Sequence, residues 1–343
     1  MWSVGLDVHQ AWSCMCILDE HGKVVNRMTV AGRWPKLVAE LEKLNHPMAV
    51  CFEASCGYGH LYEQLSRLAQ RVVVAHPGQL RLIFRSKRKN DRVDAEKLAK
   101  LLYLDEVPVV HVPDVNVRDW RSLIQFRNRL IARRTRTKNA LRALLRGHGI
   151  ATPARQGLWT GKGQAWLAGL ELPTPQAALQ RDLLLDELTE VSARIKRVEQ
   201  ELNKMARQHP GVRLLRTIPG VGPRTAEAVV AWIDDPRRFA RNKQIGTYFG
   251  LVPCQDQSAQ ANRLGHITRE GPSIVRKLLT EASWQGIRHS PEIRAYFERV
   301  QGGDPDRKKI ALVATAHHLL RAMLAMLRNN QPWRGSVQNQ KVA

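Results

Sequence analysis

Apolar residues are patterned in two regimes along this chain. Up to about residue 105 they come in short runs bounded by turn residues, and beyond that in long helical stripes. The first runs, Trp2 to Asp7, Ala11 to Asp19 and Lys23 to Val30, predict three strands, with His21-Gly22 turning the second into the third. Leu37, Val38, Leu41 and Leu44 predict a helix over Pro35 to Leu44. Met48 to Glu53 reads as a fourth strand and Tyr58 to Ala69 as a helix. Arg71 to Ala75 is a fifth strand, stopped at His76-Pro77-Gly78. Val93, Leu98, Leu101 and Leu102 make Asp91 to Leu104 helical.

Three strands, helix, strand, helix, strand, helix is the element order of an RuvC-like (RNase H-like) α/β domain, expected over residues 1–105. That step is analogy from order alone. Residues 106–210 read as a basic helical segment. Trp120 to Arg146 carries an apolar stripe through Leu123, Leu130 and Leu144 among many arginines, and Gly147 and Gly149 end it. A stretch spaced by Gly and Pro runs on to Pro175. Leu184, Leu188, Val191, Ile195, Val198, Leu202 and Met205 then step by alternating fours and threes, a coiled-coil seam. Such a seam needs a partner, either the basic helix before it or the same helix of a second subunit. Residues 211–330 form a mostly helical second unit closing on an apolar helix, Lys309 to Leu327, and 331–343 are a polar tail. The expected class is therefore α/β plus α.

Charge narrows the function. Lys and Arg number 54 against 31 Asp and Glu, a net charge of +23 over 343 residues. This excess calls for a polyanionic partner, and nucleic acid is the expected one. Basic residues are not confined to one amphipathic anchor, and no run reaches a membrane span, so no membrane role is expected. The chain opens directly on a strand without a secretory signal, which points to the cytoplasm. The five cysteines are odd in number and lie largely on strands, so reduced thiols are expected; their spacing does not make a zinc site.

Against that positive background, four carboxylates stand out. Asp7 and Glu53 each end an apolar strand. Asp91 and Asp94 sit three apart on one helix face. If the strands neighbour each other, all four converge. Clustered acids repel unless cations balance them, and Mg²⁺ or Mn²⁺ is the hard ion that suits oxygen ligands. Two such ions serve nucleases by polarising the phosphate and steadying attacking and leaving oxygens. The plain alternative for Asp91 and Asp94, beside Lys87-Arg88-Lys89, is an ordinary acidic helix start.

Two motifs lie in the second unit. Ile218-Pro219-Gly220-Val221-Gly222 before a helix resembles a helix-hairpin-helix, whose backbone N–H groups grip phosphate without reading bases. The plain reading is a tight interhelical turn. The polar loop from Tyr248 to Gly271 holds Ser258, with Arg263, His266 and Arg269 nearby. A lone serine is ordinarily a cap or a solvent contact; a nucleophile needs activation, and the arginines could steady a phosphorane. The basic residues singled out for nucleic acid are Lys87, Arg88, Lys89, Arg127, Arg129, Arg133, Arg134, Arg136, Lys138, Arg263 and Arg269, with Gly220 and Gly222 of the hairpin.

Together these pieces resemble the DEDD/serine transposases of bacterial insertion sequences, relatives of the Piv DNA invertase that include recombinases guided by a bridge RNA. The resemblance spans nearly the whole chain. It rests on Gly5-Leu-Asp7-Val-His, Cys51-Phe-Glu53-Ala-Ser, Lys89-Asn-Asp91-Arg-Val-Asp94-Ala, Ile218-Pro-Gly-Val-Gly222, and Gly250-Leu-Val-Pro253 leading to Gln257-Ser258. Ala259 follows the serine where the family commonly has glycine. The resemblance implies that Asp7, Glu53, Asp91 and Asp94 bind metal and are catalytic. It implies that Ser258 forms a covalent serine–DNA intermediate, that a non-coding guide RNA selects donor and target DNA, and that the site is shared within a dimer or tetramer in the bacterial cytoplasm. The alternative is a metal-only Holliday-junction endonuclease of the RuvC type, which needs the acids and no serine. A non-catalytic nucleic-acid binder would need neither.

Overall fold

Burial of both faces of the first two strands decides how residues 1–118 are layered. The computed structural model describes residues 1–55, 57–83, 91–153, 157–258 and 261–335, in two units, Met1–Arg118 and Asp119–Ala343. In the first unit, β1 (Trp2–Val8), β2 (Trp12–Leu18) and β3 (Val24–Ala31) form an antiparallel meander. After α1 (Trp34–Glu42) comes β4 (Met48–Glu53), parallel to β1. After α2 (Tyr58–Leu65) comes β5 (Arg71–Ala75), parallel to β4. The sheet order is β3-β2-β1-β4-β5, a five-stranded mixed sheet consistent with the expected RuvC-like domain.

Because side chains alternate across a strand, Val4, Leu6, Val50 and Phe52 enter one core with Leu37 and Leu41 of α1 and Leu61 and Leu65 of α2. The opposite face belongs to α4 (Asp91–Tyr103), which follows the short α3 (Pro77–Ile83). Here Cys14, Cys16 and Leu18 meet Ala95 and Ala99, and Ala49 and Cys51 meet Leu98, Leu101 and Leu102. Val93, read from sequence as part of that stripe, points outward. Leu98, Leu101 and Leu102 of that stripe are buried as expected, and beside them the helix packs on β2 through Ala95 and Ala99, which carry no hydrophobic signature. Cys14, Cys16, Cys51 and Cys254 are free thiols, and burial pushes Cys51 up to about 12.

In the second unit, α5 (Val115–Gly147), whose first residues belong to the first unit, lies against α7 (Pro175–Gln208), with α6 (Gly161–Ala168) in the stretch spaced by Gly and Pro. Val191 and Ile195 of the heptad seam pack on Leu130 and Ile131 of α5. Each such apolar side chain, once buried, contributes about 1.5–3 kcal/mol. Val191 and Ile195 thus pack on the basic helix of the same chain. Leu202 continues the seam into the main core with α8 (Pro210–Leu215), α9 (Pro223–Ile233), α10 (Gln244–Tyr248), α11 (Ser273–His289), α12 (Pro291–Gln301) and α13 (Lys308–Asn329). By length and composition Pro305–Asn329 could cross a membrane, but half of its most apolar stretch is buried inside the protein. Leu319, Leu320, Met323 and Leu324 make it the central helix of this unit.

The loop expected around Ser258 is instead an antiparallel hairpin, β6 (Pro253–Ser258) and β7 (Ala261–Ile267). Every β6 residue is exposed, so no buried face imposed the alternation by which strands are read.

Glu227 of α9 is 1 % exposed. Burial pushes its carboxyl up to about 8, although Arg224 Nη1 lies 3.0 Å from its Oε1 and pulls the other way. A carboxyl raised in the folded state binds protons there that the unfolded chain has released, so stability falls as pH rises between about 4.5 and about 8. Glu227→Gln, which mimics the protonated acid, is expected to melt higher than the parent at pH 8. The gap should close toward pH 4.5 in a melting series; a pH-independent gap would contradict the assignment.

Candidate metal centre and serine hairpin

Gly5 is the reason acids from a strand and a helix can meet. A Cβ there would stand 2.1 Å from the Ala95 carbonyl oxygen and 2.4 Å from the Ala99 amide nitrogen. With no side chain in between, α4 lies directly on β1 and carries Asp91 and Asp94, in its first turn, over the strand end. Two residues on from Gly5, Asp7 projects from the same face.

The ligand atoms of Asp7, His9 and Asp91 lie within 4.8 Å of one another. His9 Nε2 is 3.3 Å from Asp7 Oδ2 and 3.8 Å from Asp91 Oδ2. Its imidazole is held by the β1–β2 turn and rests on the Trp12 ring, with centroids 4.2 Å apart. Burial raises the proton affinity of Asp7; His9 opposes this, while Asp91 and Asp94 add to it. That is the electrostatic signature of a carboxylate group short of positive charge. Asp94 stands beside the group, with Lys97 Nζ 2.9 Å from its Oδ1. Glu53 ends β4 one position past the Leu6–Phe52 pair, which places its backbone next to that of Asp7, and its side chain is outside the group of three. Carboxylate oxygens in this arrangement suit Mg²⁺ or Mn²⁺. His9 did not stand out in the sequence, although Asp7 and His9, two apart at a strand end, share a face.

Ser258 is the last residue of β6, exposed and paired in register with Ala261. Unlike the acids, it belongs to the second unit. Arg263 stands opposite Asp256 on the hairpin, and Arg269 follows β7 in a left-handed conformation, φ 58°. The base of the hairpin is clasped by backbone. Added Cβ atoms at Gly250 and Gly271 would come within 2.3 Å of Glu270 N and 2.1 Å of Tyr248 O. Arg276 Nη1 donates to the carbonyls of Phe249, Glu270 and Gly271. Arg276 therefore positions the serine-bearing strand, a role with no local sequence signal.

The basic helix divides its arginines. Arg127 Nε donates to Glu199 at 2.8 Å and Arg133 Nε to Glu187 at 2.6 Å, both acids on α7. Lys138 lies over the Trp159 ring at 4.9 Å and Arg129 over Phe126 at 5.7 Å. Arg129 and Arg136 are exposed, and Arg134 is half-buried. At the Ile218–Gly222 turn, Gly220 has φ +87°, and a Cβ there would stand 2.4 Å from Gly286 N of α11. That glycine serves close packing, while Gly222 faces open space. Lys87, Arg88, Lys89, Cys56 and Ala259 lie outside the described residues.

Comparison with known proteins bears on both units. Residues 4–150 match the DEDD transposase domain of the IS110 type, and residues 212–298 match the transposase domain of the IS116/IS110/IS902 family. The transposase for insertion sequence element IS1111A of Coxiella burnetii is 28 % identical over 288 residues, 83 % of this chain and 78 % of that one. A probable family 20 transposase of Pseudomonas aeruginosa is 28 % identical over 289 residues, 83 % of this chain and 84 % of its own. The pilin gene-inverting protein of Moraxella lacunata is 28 % identical over 122 residues, 35 % of this chain and 38 % of its own.

Proposed function

The chain belongs to the IS116/IS110/IS902 family of transposases, and on that premise we propose that it cleaves and exchanges DNA strands with Mg²⁺ held at the four acids and Ser258 as nucleophile. It is a DNA transposase, an enzyme of DNA recombination. The observation that carries the finer reading is the convergence of Asp7, His9 and Asp91 at the end of β1. Asp7 and Asp91 are the carboxylates placed to hold a divalent ion, with Asp94 and Glu53 flanking them. When bound, such an ion supplies Lewis-acid polarisation of the phosphate.

The protein's own groups do the rest. His9 orients the Asp7 carboxylate. Ser258 Oγ bonds to phosphorus as a P–O bond of the strand breaks, and the serine proton ends on the departing hydroxyl. The exposed arginines near the hairpin offset the charge that builds on the phosphoryl oxygens. Acids and serine on separate units suit a site completed within a dimer or tetramer. Pairing of donor and target DNA by a non-coding guide RNA, in the bacterial cytoplasm, completes the proposal. The family resemblance supports that part, and a discrete RNA copurifying with the protein is its test.

Cleavage is expected to stop in excess EDTA and return with Mg²⁺ or Mn²⁺. Full activity in chelator would remove the metal site from the mechanism. Nucleic-acid binding is assigned to the exposed arginines of α5. Arg129→Glu with Arg136→Glu should weaken DNA binding and reduce the slope of log K against log salt by about 1–2. An unchanged slope would take that face out of the interface.

A further inference from the structure

We propose that a cleft beside Asp7 and His9 is a subsite for one unstacked nucleotide of the DNA strand, its base lying on Trp34 and Pro35 and its phosphate facing Arg33. The inference rests on the reading of Asp7 and Asp91 as the cleavage centre and specifies how the strand is seated there.

The cleft has a volume of about 640 Å³, within the ~300–1,000 Å³ of small-ligand sites. It opens where β1 and β4 end, between His9 on one side and Ser55 and Gly57 on the other. The carboxyl ends of parallel strands are where open α/β sheets bind ligands. The remaining wall is the start of α1, Arg33 to Pro35. Its surface is largely apolar, supplied by an indole and a proline ring. An aromatic face such as the indole stacks bases with little regard to sequence, and the proline ring extends its apolar surface.

The indole sits low because Gly57 has no side chain. A Cβ at 57 would stand 2.5 Å from the Trp34 ring, and φ +80° there already favours glycine. The Trp34 Nε1–H is buried, without a hydrogen-bond acceptor among the described residues, so the indole offers the cleft its ring and not its N–H.

The electrostatics of the cleft differ from those of the acids next to it. Among the described residues no carboxylate lines it, and Arg33 is the fixed charge they supply. Among the described residues no carboxylate pairs with Arg33. The cleft is also bordered by the N-cap residues of α1 and α2, Arg33 and Gly57, and neither helix has a side-chain cap or an acidic residue in its first turn. Both features favour an anion. His9, which lines the cleft and also touches Asp7, places the bound nucleotide beside the phosphate to be cut.

The test uses the full chain in EDTA, so that nothing is cleaved. The probe is a short single-stranded deoxyoligonucleotide with one 5-iododeoxyuridine; after irradiation, the nucleotide-bearing peptides are located by mass spectrometry. The expected adduct is on Trp34. Arg33→Ala, at an exposed position, should lower its yield at least about fivefold and cut the salt slope of binding by about 0.7, and Trp34→Phe should keep the binding that Trp34→Ala loses. Adducts only elsewhere, or a Trp34 adduct indifferent to Arg33→Ala in a protein with unchanged melting temperature, would overturn the subsite. An RNA oligonucleotide giving the adduct where DNA does not would overturn its assignment to DNA. A cleavage assay on Asp7→Asn separates the two readings: retained cleavage sinks the cleavage centre, whatever the crosslink shows.

Discussion

Asp7→Asn is expected to abolish strand cleavage and, in the same protein, to raise the melting temperature measured without metal. The two effects have one origin. Asp7 is half-buried beside Asp91, and both burial and the charges of Asp91 and Asp94 raise its proton affinity. Without a cation, the ionised carboxylate is a stability cost that the amide removes while keeping its shape. With a cation, the carboxylate is a ligand the amide cannot replace. Loss of several kcal/mol of transition-state stabilisation slows cleavage on the order of 10³-fold. Mg²⁺ should raise the melting temperature of the parent by mass action and leave Asp7→Asn nearly unmoved. A variant that melts lower than the parent in EDTA, or that still gains from Mg²⁺, would show that Asp7 is not where the ion binds.

How much of this was legible in the sequence depends on how each residue is held. The β1 and β4 strands were, because both faces are buried, Val4, Leu6, Val50 and Phe52 in one core and Ala49 and Cys51 against α4, and such strands read as short continuous apolar runs. Asp7 and Glu53 were legible as strand ends because each closes an apolar run, and Asp91 and Asp94 as a pair three apart on one helix. How they meet was not. The approach of α4 to β1 rests on Gly5, Ala95 and Ala99, and a contact made by small residues has no hydrophobic signature. The α7 seam was legible, but its partner was not, since Leu130 and Ile131 of α5 carry the same pattern a second subunit would. The β6–β7 hairpin escaped for the opposite reason: exposed on every β6 residue, it obeys backbone pairing without any pattern of burial. His9 escaped because one histidine next to one aspartate has no meaning until a turn and Trp12 aim it at Asp91.

Ser258→Ala separates the two enzymatic readings, and complete loss of strand cleavage is the expected result. A junction endonuclease that relied on metal and acids alone would keep cutting, because water would be its nucleophile. A serine recombinase has no other oxygen to bond to phosphorus, and the covalent protein–DNA species must vanish with the hydroxyl. The substitution is well suited to the question. Ser258 is exposed at the end of β6, so the methyl group of alanine replaces the hydroxymethyl without opening a cavity. Denaturing electrophoresis on labelled DNA should show a slowly migrating, protease-sensitive band for the parent and none for Ser258→Ala, with melting temperature and DNA affinity retained in both. Arg276→Ala should weaken the same band without erasing it, because its contacts to Phe249, Glu270 and Gly271 hold the hairpin base rather than touch the phosphate. Undiminished cutting by Ser258→Ala would leave the acids as the whole of the chemistry and reduce the hairpin to a contact surface.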